Sequence, residues 1–399
     1  MATTTTTTQR PLLSLLGRAW ERGASHLLID LSATKRSPPR MRIDGVLHDL
    51  EPLADPEPVW LAVCGAVDLD VTERRLPQSG LLLVRVNDDD VSATVECVPV
   101  VDGVFISLAL HSADPYRAKR IDQLGMTVAE TTALRSTLVP GLSGTPAPGA
   151  GGLVVFSGPT WSGKNTTAYA CLLEIDRTRR AVATVEMVPR ARLPDVHQSV
   201  TDDDIGRTAA ALLRSLRRTS VDVVYVRELM DAETADVAIG LALRKGVTVL
   251  TTLHTNDAPS TLTRMMNMGI EPWLIAATVP LVQAQRLLRR LCAACKQPAH
   301  PLPAALRHAG VADDDAARFF GPVGCGLCNQ TGFAGRVLAV EQLVVDEALA
   351  ELLVHGASTK ELRACARDHG MRSLRESALA ALSAGETTLE EVLSSTASG

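Results

Sequence analysis

The chain has 399 residues and a formal net charge of −5. Its length and its 46% apolar content are enough to bury two or three domain cores. No apolar run approaches the ~18 residues that a membrane span needs, and the N-terminus MATTTTTTQR lacks the pattern of a secretion signal. We therefore expect a soluble, cytoplasmic protein with a disordered tail over residues 1–10. The acidic balance and 3% aromatic content argue against a general nucleic-acid binder.

The first third of the chain predicts a small α+β domain over residues 11–139. Leucines at helical spacing predict a helix over residues 11–23, and a short strand follows at residues 26–31. Asp44-Gly45, between two alternating apolar arms, predicts a tight hairpin. Further strands are predicted at residues 82–86, 92–98 and 103–110.

A proline- and glycine-rich stretch, residues 140–152, follows a helix predicted over residues 121–138. Its composition is typical of a hinge between two rigid bodies, and equally of a tolerated surface insertion.

Residues 151–170 read GGLVVFSGPTWSGKNTTAYA and predict a strand, a glycine-rich loop and a helix. The spacing Gly158, four residues, Gly163, Lys164 is that of a loop that cradles phosphates with backbone N–H groups and a lysine. The pattern asks for Ser or Thr next, as a ligand of Mg²⁺, and this chain has Asn165. Bulky Trp161 is also unusual in a loop that often needs positive φ. The candidate nucleotide-binding residues are Gly158, Ser162, Gly163, Lys164, Asn165 and Thr166.

After this loop, apolar strands alternate with helices, which predicts an α/β fold with a mostly parallel sheet. The predicted elements are strands at residues 181–186, 221–226 and 247–250 and helices at residues 205–218 and 233–243. Glu186, Glu228 and His254 all follow strands, where an open α/β sheet binds its ligands. Each alone fits a structural role, but together with the phosphate loop they favour a site, with Glu228 as candidate base.

Four of the eight cysteines form two Cys-x-x-Cys pairs, Cys292 with Cys295 and Cys325 with Cys328. In a cytosolic protein such pairs predict a tetrahedral Zn²⁺ site rather than disulfides. The other four cysteines have apolar neighbours and are predicted to be core residues.

Several long motifs in order resemble the secretion ATPase family of type II secretion and type IV pilus assembly. They are LDVTERRLPQSG, TLHTNDAPSTLTRMMNMGIEPWLIAATV, AQRLLRRLCAAC, TGFAGR and GMRSLRESALAALSAGETTLEEVL, and the similarity runs over residues 12–396. The resemblance implies a RecA-like core, a PAS-like N-terminal domain, a homohexameric ring and ATP hydrolysis that works a pilin-handling platform protein at the inner membrane. The four cysteines place the chain in the assembly branch, and we expect the amino-terminal docking domain of many secretion motors to be absent.

The implied domains are the tail, the N-terminal domain and the linker already given, followed by a RecA-like core over residues 153–291, a zinc module over 292–335 and a helical C-terminal domain over 336–399.

Carried over one by one, some family residues are kept and others are replaced. Lys164, Glu228 and His254 match the phosphate-loop lysine, the catalytic glutamate and the histidine-box residue, and Glu186 matches the first acid of the aspartate box. Glycine and threonine of the loop are replaced by Trp161 and Asn165, acids of the aspartate box by Met187 and Arg190, and the glycine before the catalytic glutamate by Arg227. Two arginines that help to neutralise the γ-phosphate in the family fall at Thr94 and Ala109.

Two function classes remain open. One is a motor ATPase with a weakened Mg²⁺ site, because Asn165 offers only a neutral oxygen. The other is a catalytically impaired ring subunit, alone or beside an intact paralogue. Two roles are open for Arg227. Its guanidinium either replaces a lost cation beside the γ-phosphate, or it pairs with Glu228 and prevents that carboxylate from acting as the base. A zinc-containing nucleic-acid binder, based on Arg286, Arg289 and Arg290, is a third class, but we expect these arginines to line a subunit contact.

Overall fold

The computed structural model describes residues 10–32, 37–112, 119–138, 151–244, 246–311 and 319–396. The tail predicted for residues 1–10 and the linker predicted for residues 140–152 lie largely outside these ranges. The chain divides into two units: Met1–Ala118 with Val188–Leu193, and Lys119–Met187 with Pro194–Gly399. Nowhere in the described part of the chain is a helix long and apolar enough to cross a bilayer.

Over its described residues, the first unit is an antiparallel sheet with two helices. Its strands are β1 (His26–Asp30), β2 (Arg40–Ile43), β3 (Val46–Asp49), β4 (Gln78–Val86), β5 (Asp89–Val100) and β6 (Gly103–Ser112), in the order β3-β2-β1-β6-β5-β4, and its helices are α1 (Arg10–Glu21) and α2 (Glu57–Val67). The predicted hairpin is confirmed: Ile43 pairs with Val46, and Asp44 and Gly45 both have positive φ, as a primed hairpin turn requires.

The second unit is built on a seven-stranded sheet in the order β15-β12-β7-β11-β10-β8-β9. Its strands are β7 (Gly152–Ser157), β8 (Val182–Glu186), β9 (Val196–Val200), β10 (Val223–Val226), β11 (Thr248–Leu253), β12 (Leu281–Leu291) and β15 (Phe333–Val344). All neighbours pair parallel except β12 and β15. Every residue of β7, β8, β10 and β11 is buried, as expected for strands with both faces covered.

Helices surround this sheet and form the end of the chain. They are α3 (Val128–Leu138), α4 (Lys164–Glu174), α5 (Ala209–Leu216), α6 (Ala232–Ala242), α7 (Ala258–Asn267), α8 (Pro272–Thr278), α9 (Pro303–Ala309), α10 (Glu347–Val354), α11 (Thr359–Asp368), α12 (Leu374–Ser383) and α13 (Leu389–Ser395). A two-stranded ribbon, β13 (Gln297–Pro298) with β14 (Phe320–Gly321), lies between β12 and β15 in the chain. The mixed α/β fold with a helical C-terminal segment is therefore confirmed, although residues 336–344, predicted within that segment, extend β15.

Two predicted helices are shorter than expected. The helix predicted over residues 121–138 is a 3₁₀ turn at Ile121–Gln123 followed by α3, because Gly125 adopts φ +86° between them. The helix predicted over residues 205–218 starts only at Ala209, where Thr208 caps it by accepting from the Ala211 N–H. Gly206, with φ +74°, ends the preceding 3₁₀ turn, and residues in this left-handed region do not continue a helix.

Candidate functional site

The phosphate loop joins β7 to α4 and has the backbone that its glycines allow. Gly158 has φ +141° and Gly163 has φ +91°. A Cβ on Gly158 would lie 2.5 Å from the Gln285 carbonyl oxygen, so only glycine fits there. Trp161 also has positive φ, +70°, and its side chain is 59% exposed. The strain expected for a bulky residue in this loop is thus found at Trp161.

Lys164 is folded against the loop itself. Its Nζ donates to the carbonyl oxygens of Gly158 at 2.7 Å and Pro159 at 2.8 Å, and the residue is 6% exposed. A buried ammonium group needs such acceptors. These two contacts hold the Lys164 ammonium group against the loop.

The other predicted residues lie at the same edge of the sheet. Glu186 ends β8, Glu228 follows β10, and His254 follows β11. These strands and β7 are consecutive parallel neighbours, so their carboxyl ends share one edge. His254 Nε2 lies 3.2 Å from Glu228 Oε1, and both side chains are partly exposed. A contact of this kind restricts the orientation of the Glu228 carboxylate.

Two tyrosines that sequence reasoning missed contact the predicted site. The Tyr169 hydroxyl donates to both carboxylate oxygens of Glu186, at 3.0 and 2.9 Å. The Tyr225 hydroxyl lies 3.4 Å from the Asn165 Oδ1, and the two rings meet edge to face with centroids 6.0 Å apart. Asn165 and Tyr169 are one turn apart on α4, and the chain has only three tyrosines, so this spacing was the available signal.

This arrangement decides which residues suit Mg²⁺. The ion prefers hard oxygen ligands, which the Asn165 amide and the Glu186 carboxylate carry. Both groups already have a tyrosine hydroxyl as partner. The residues therefore fit a divalent cation chemically, with a neutral oxygen where the phosphate-loop pattern has a hydroxyl.

The four paired cysteines form a second site. Their sulfur atoms all lie within 4.8 Å of one another, with Cys292 to Cys325 at 3.9 Å, Cys295 to Cys328 at 3.8 Å and Cys325 to Cys328 at 3.8 Å. A tetrahedron with Zn–S bonds of about 2.3 Å has edges of about 3.8 Å, so the spacing fits Zn²⁺.

Backbone N–H groups also point at these sulfurs. Cys325 and Gly332 donate to Cys328 Sγ at 3.1 and 3.2 Å, and Gly324 donates to Cys295 Sγ at 3.4 Å. Donors of this kind stabilise thiolates, the form that binds a metal.

The three arginines considered for nucleic acid have partners within the second unit. Arg289 pairs with Glu391 at 2.6 Å and Arg290 with Glu386 at 3.4 Å. Arg286 donates to the Asn256 carbonyl at 2.7 Å, and burial lowers its pKa. These contacts give no support to a nucleic-acid surface at this place.

A phosphate loop between a central parallel strand and a helix, with acids at the ends of neighbouring strands, defines the P-loop nucleotide-binding class. The sequence model of the Type II/IV secretion system protein family matches residues 3–394. The chain belongs to this family, as the sequence motifs indicated.

Individual relatives agree with this assignment. The chain is 38% identical to the type IV pilus assembly ATPase PilB of Myxococcus xanthus over 90% of its own length and 62% of that protein. It is 35% identical to the type II secretion system protein HxcR of Pseudomonas aeruginosa over 96% of its length and 76% of that protein. The chain thus spans less than two thirds of the PilB relative.

Solved structures match the fold. The pilus retraction motor PilT with bound ADP aligns with a TM-score of 0.66, covering 96% of each chain at 21% identity. The ATPase DotB of Yersinia pseudotuberculosis aligns with a TM-score of 0.69, covering 97% of this chain and 93% of that one at 15% identity.

Proposed function

We propose that this chain is the ATP-binding motor subunit of a type II secretion or type IV pilus assembly system. It hydrolyses ATP to drive the assembly of pilins or pseudopilins. The observation that carries the proposal is the shared edge of the sheet, where the phosphate loop, Glu186 and the Glu228–His254 pair end four neighbouring strands. Membership of a family whose relatives include a type IV pilus assembly ATPase supports it.

In this proposal each group has one task. Lys164 and the loop N–H groups bind the β- and γ-phosphates, and Asn165 and Thr166 would hold the metal ion on the side of the loop. Mg²⁺, when bound, neutralises developing charge on the phosphates. Glu228 orients the attacking water and accepts its proton, His254 orients Glu228, and Glu186 supports the metal side of the site.

Family membership also supports a proposal for the assembly. We propose a homohexamer, alone or mixed with an intact paralogue, in the cytoplasm and peripheral at the inner membrane through a platform protein. Zn²⁺ held by the four cysteines stabilises the module between β12 and β15.

A second candidate is a ring subunit with impaired catalysis. Asn165 favours it, because an asparagine lacks the metal-binding hydroxyl. Thr94 and Ala109 favour it too, because they stand where the family has arginines. These two residues face each other across β5 and β6, so both replacements fall on one patch. Removal of a cation from a phosphoryl-transfer site commonly costs orders of magnitude in rate.

Nucleotide binding and turnover by the purified protein separate the candidates. Calorimetry measures ATP binding, and phosphate release measures turnover. Both are run at protein concentrations that allow a hexamer to form, once with Mg²⁺ and once with a chelator. Lys164→Ala should abolish both activities, while Lys360→Ala, which removes an exposed lysine on α11, should leave them unchanged. Turnover that is lost in Lys164→Ala supports the motor, whereas no turnover, with or without weak nucleotide binding, supports the impaired subunit and contradicts the motor.

A further inference from the structure

A row of three glutamine side chains runs through the second unit to the phosphate loop. Gln283 and Gln285 are two residues apart on β12, hence on the same face, and both are fully buried. Gln342 lies opposite Gln283 on β15. Buried amides must find hydrogen-bond partners, and here they find them in one another and in the backbone.

The hydrogen bonds in this row all run in one direction. Gln342 Nε2 donates to Gln283 Oε1 at 2.9 Å, and Gln283 Nε2 donates to Gln285 Oε1 at 3.3 Å. At the far end, Gln342 Nε2 also donates to the Glu130 carbonyl of α3 at 3.0 Å. A carbonyl only accepts, so this contact fixes which way the first amide faces, and each amide fixes the next.

The row ends on the phosphate loop. Gln285 Nε2 donates to the Ser162 carbonyl at 2.9 Å, and its Oε1 accepts from the Thr167 hydroxyl at 3.1 Å. One side chain therefore holds the loop and the first turn of α4 together. A Cβ on Gly163 would lie only 3.1 Å from the Gln285 Nε2, which explains why glycine suits this position.

We infer that Gln285 is a positioning residue for anion binding by the phosphate loop. In a trans peptide the C=O and the following N–H point in opposite directions. Gln285 holds the Ser162 C=O towards β12, so the N–H of Gly163 is turned away from β12. A phosphate loop presents such N–H groups to polyphosphate, and Gln285 sets this one. The inference deepens the proposed nucleotide site and rests on it.

Amide-to-thioether substitution tests this role at nearly constant size. Gln285→Met removes the donor to Ser162 together with the acceptor for Thr167 and Gln283. Gln283→Met leaves both loop contacts of Gln285 in place and removes its neighbour in the row. We expect an affinity loss of about tenfold for ATP and for tripolyphosphate in Gln285→Met, where the hydrogen bond to the loop carbonyl is lost, and about threefold in Gln283→Met, where that bond is kept but less firmly oriented. Gln297→Met, at an exposed position of β13, is the matched control and should bind like the native chain.

Hydrogen exchange gives a readout that does not depend on nucleotide. Peptides that contain Gly163 should exchange faster in Gln285→Met without ligand, while peptides from β11 stay protected. Native affinity together with native exchange in a folded Gln285→Met variant would overturn the inference. If that variant does not fold, Gln283→Met decides by the same two measurements. A native chain that binds neither ATP nor tripolyphosphate contradicts the proposed function, and loop exchange then still tests Gln285.

Discussion

The hydroxyl of Tyr169 lies within 3.0 Å of both carboxylate oxygens of Glu186, and Glu186 is only 2% exposed. A buried carboxylate without its donor carries a desolvation cost, which is why hydrogen bonds to charged groups contribute about 1.5–3 kcal/mol. The tyrosine thus stabilises an acid at the edge where the phosphates are proposed to bind.

Tyr169→Phe should therefore lower the free energy of unfolding by about 1–3 kcal/mol. The measurement is chemical denaturation at neutral pH. Ser136→Ala is the control, because it removes an exposed hydroxyl of α3 that donates to the Ala133 carbonyl, and its loss should cost less. Equal stability of Tyr169→Phe and the native chain would show that the contact contributes nothing.

Asn165→Thr should increase the affinity of the nucleotide site for Mg²⁺. A threonine hydroxyl at this position is the metal ligand of the phosphate-loop pattern, and a neutral amide is a weaker substitute. We expect half-maximal nucleotide binding at a Mg²⁺ concentration about tenfold lower than for the native chain, a difference of about 1.4 kcal/mol. Asn165→Ala provides the comparison without any oxygen ligand, and identical titrations for the threonine and alanine variants would refute the role of the hydroxyl.

Replacement of Thr94 and Ala109 by arginine should raise the rate of ATP turnover. The two positions are cross-strand partners, so a double substitution places two guanidinium groups on one patch. On the proposed function, in which cations at these two positions neutralise phosphate charge, Thr94→Arg with Ala109→Arg should increase phosphate release at least about tenfold. Arginines at Val98 and Phe105, another cross-strand pair of neutral residues on the same two strands, add the same two positive charges and serve as the control. A rate of phosphate release no higher than that of the control would contradict a role of these two positions in turnover.

Much of the sheet could be predicted because its central strands are short apolar runs followed by polar residues. β12 could not, since Gln283, Gln285 and Arg286 interrupt its apolar pattern and its burial comes from pairing with β7 and β15. The same limit applies to the site. The sequence shows which polar residues follow strands, and these are the predicted site residues. The contact of Tyr169 on α4 with Glu186 on β8 forms only in the folded chain, so the sequence does not show it.

Removal of one cysteine from the four-sulfur cluster should release its metal. We expect elemental analysis to find one zinc per native chain and little in Cys328→Ser, together with a lower melting temperature, because a structural zinc site contributes directly to folding free energy. Cys365→Ser is the control, since Cys365 lies outside the cluster. Full zinc content in Cys328→Ser would show that the cluster is not the binding site.

Acid should destabilise the first unit through His26, which is 5% exposed. Burial, followed by the nearby Arg42 and Arg190 charges, lowers the pKa of His26 from 6.5 to about 4. The unfolded chain therefore binds a proton below pH 6.5 that the folded chain does not bind until about pH 4, so this histidine makes stability fall as the pH falls between these values. The loss is of the order of 1–3 kcal/mol.

Urea unfolding of the native chain and of His26→Gln, followed from pH 7.5 to pH 4, measures this loss. The glutamine variant should have the flatter stability profile over that window, whatever its stability at neutral pH, because it lacks the titrating ring. His197→Gln, which removes an exposed histidine on β9, should keep the native slope. Parallel profiles for the native chain and His26→Gln would mean that His26 takes up its proton equally in the folded and unfolded states, contrary to the burial seen here.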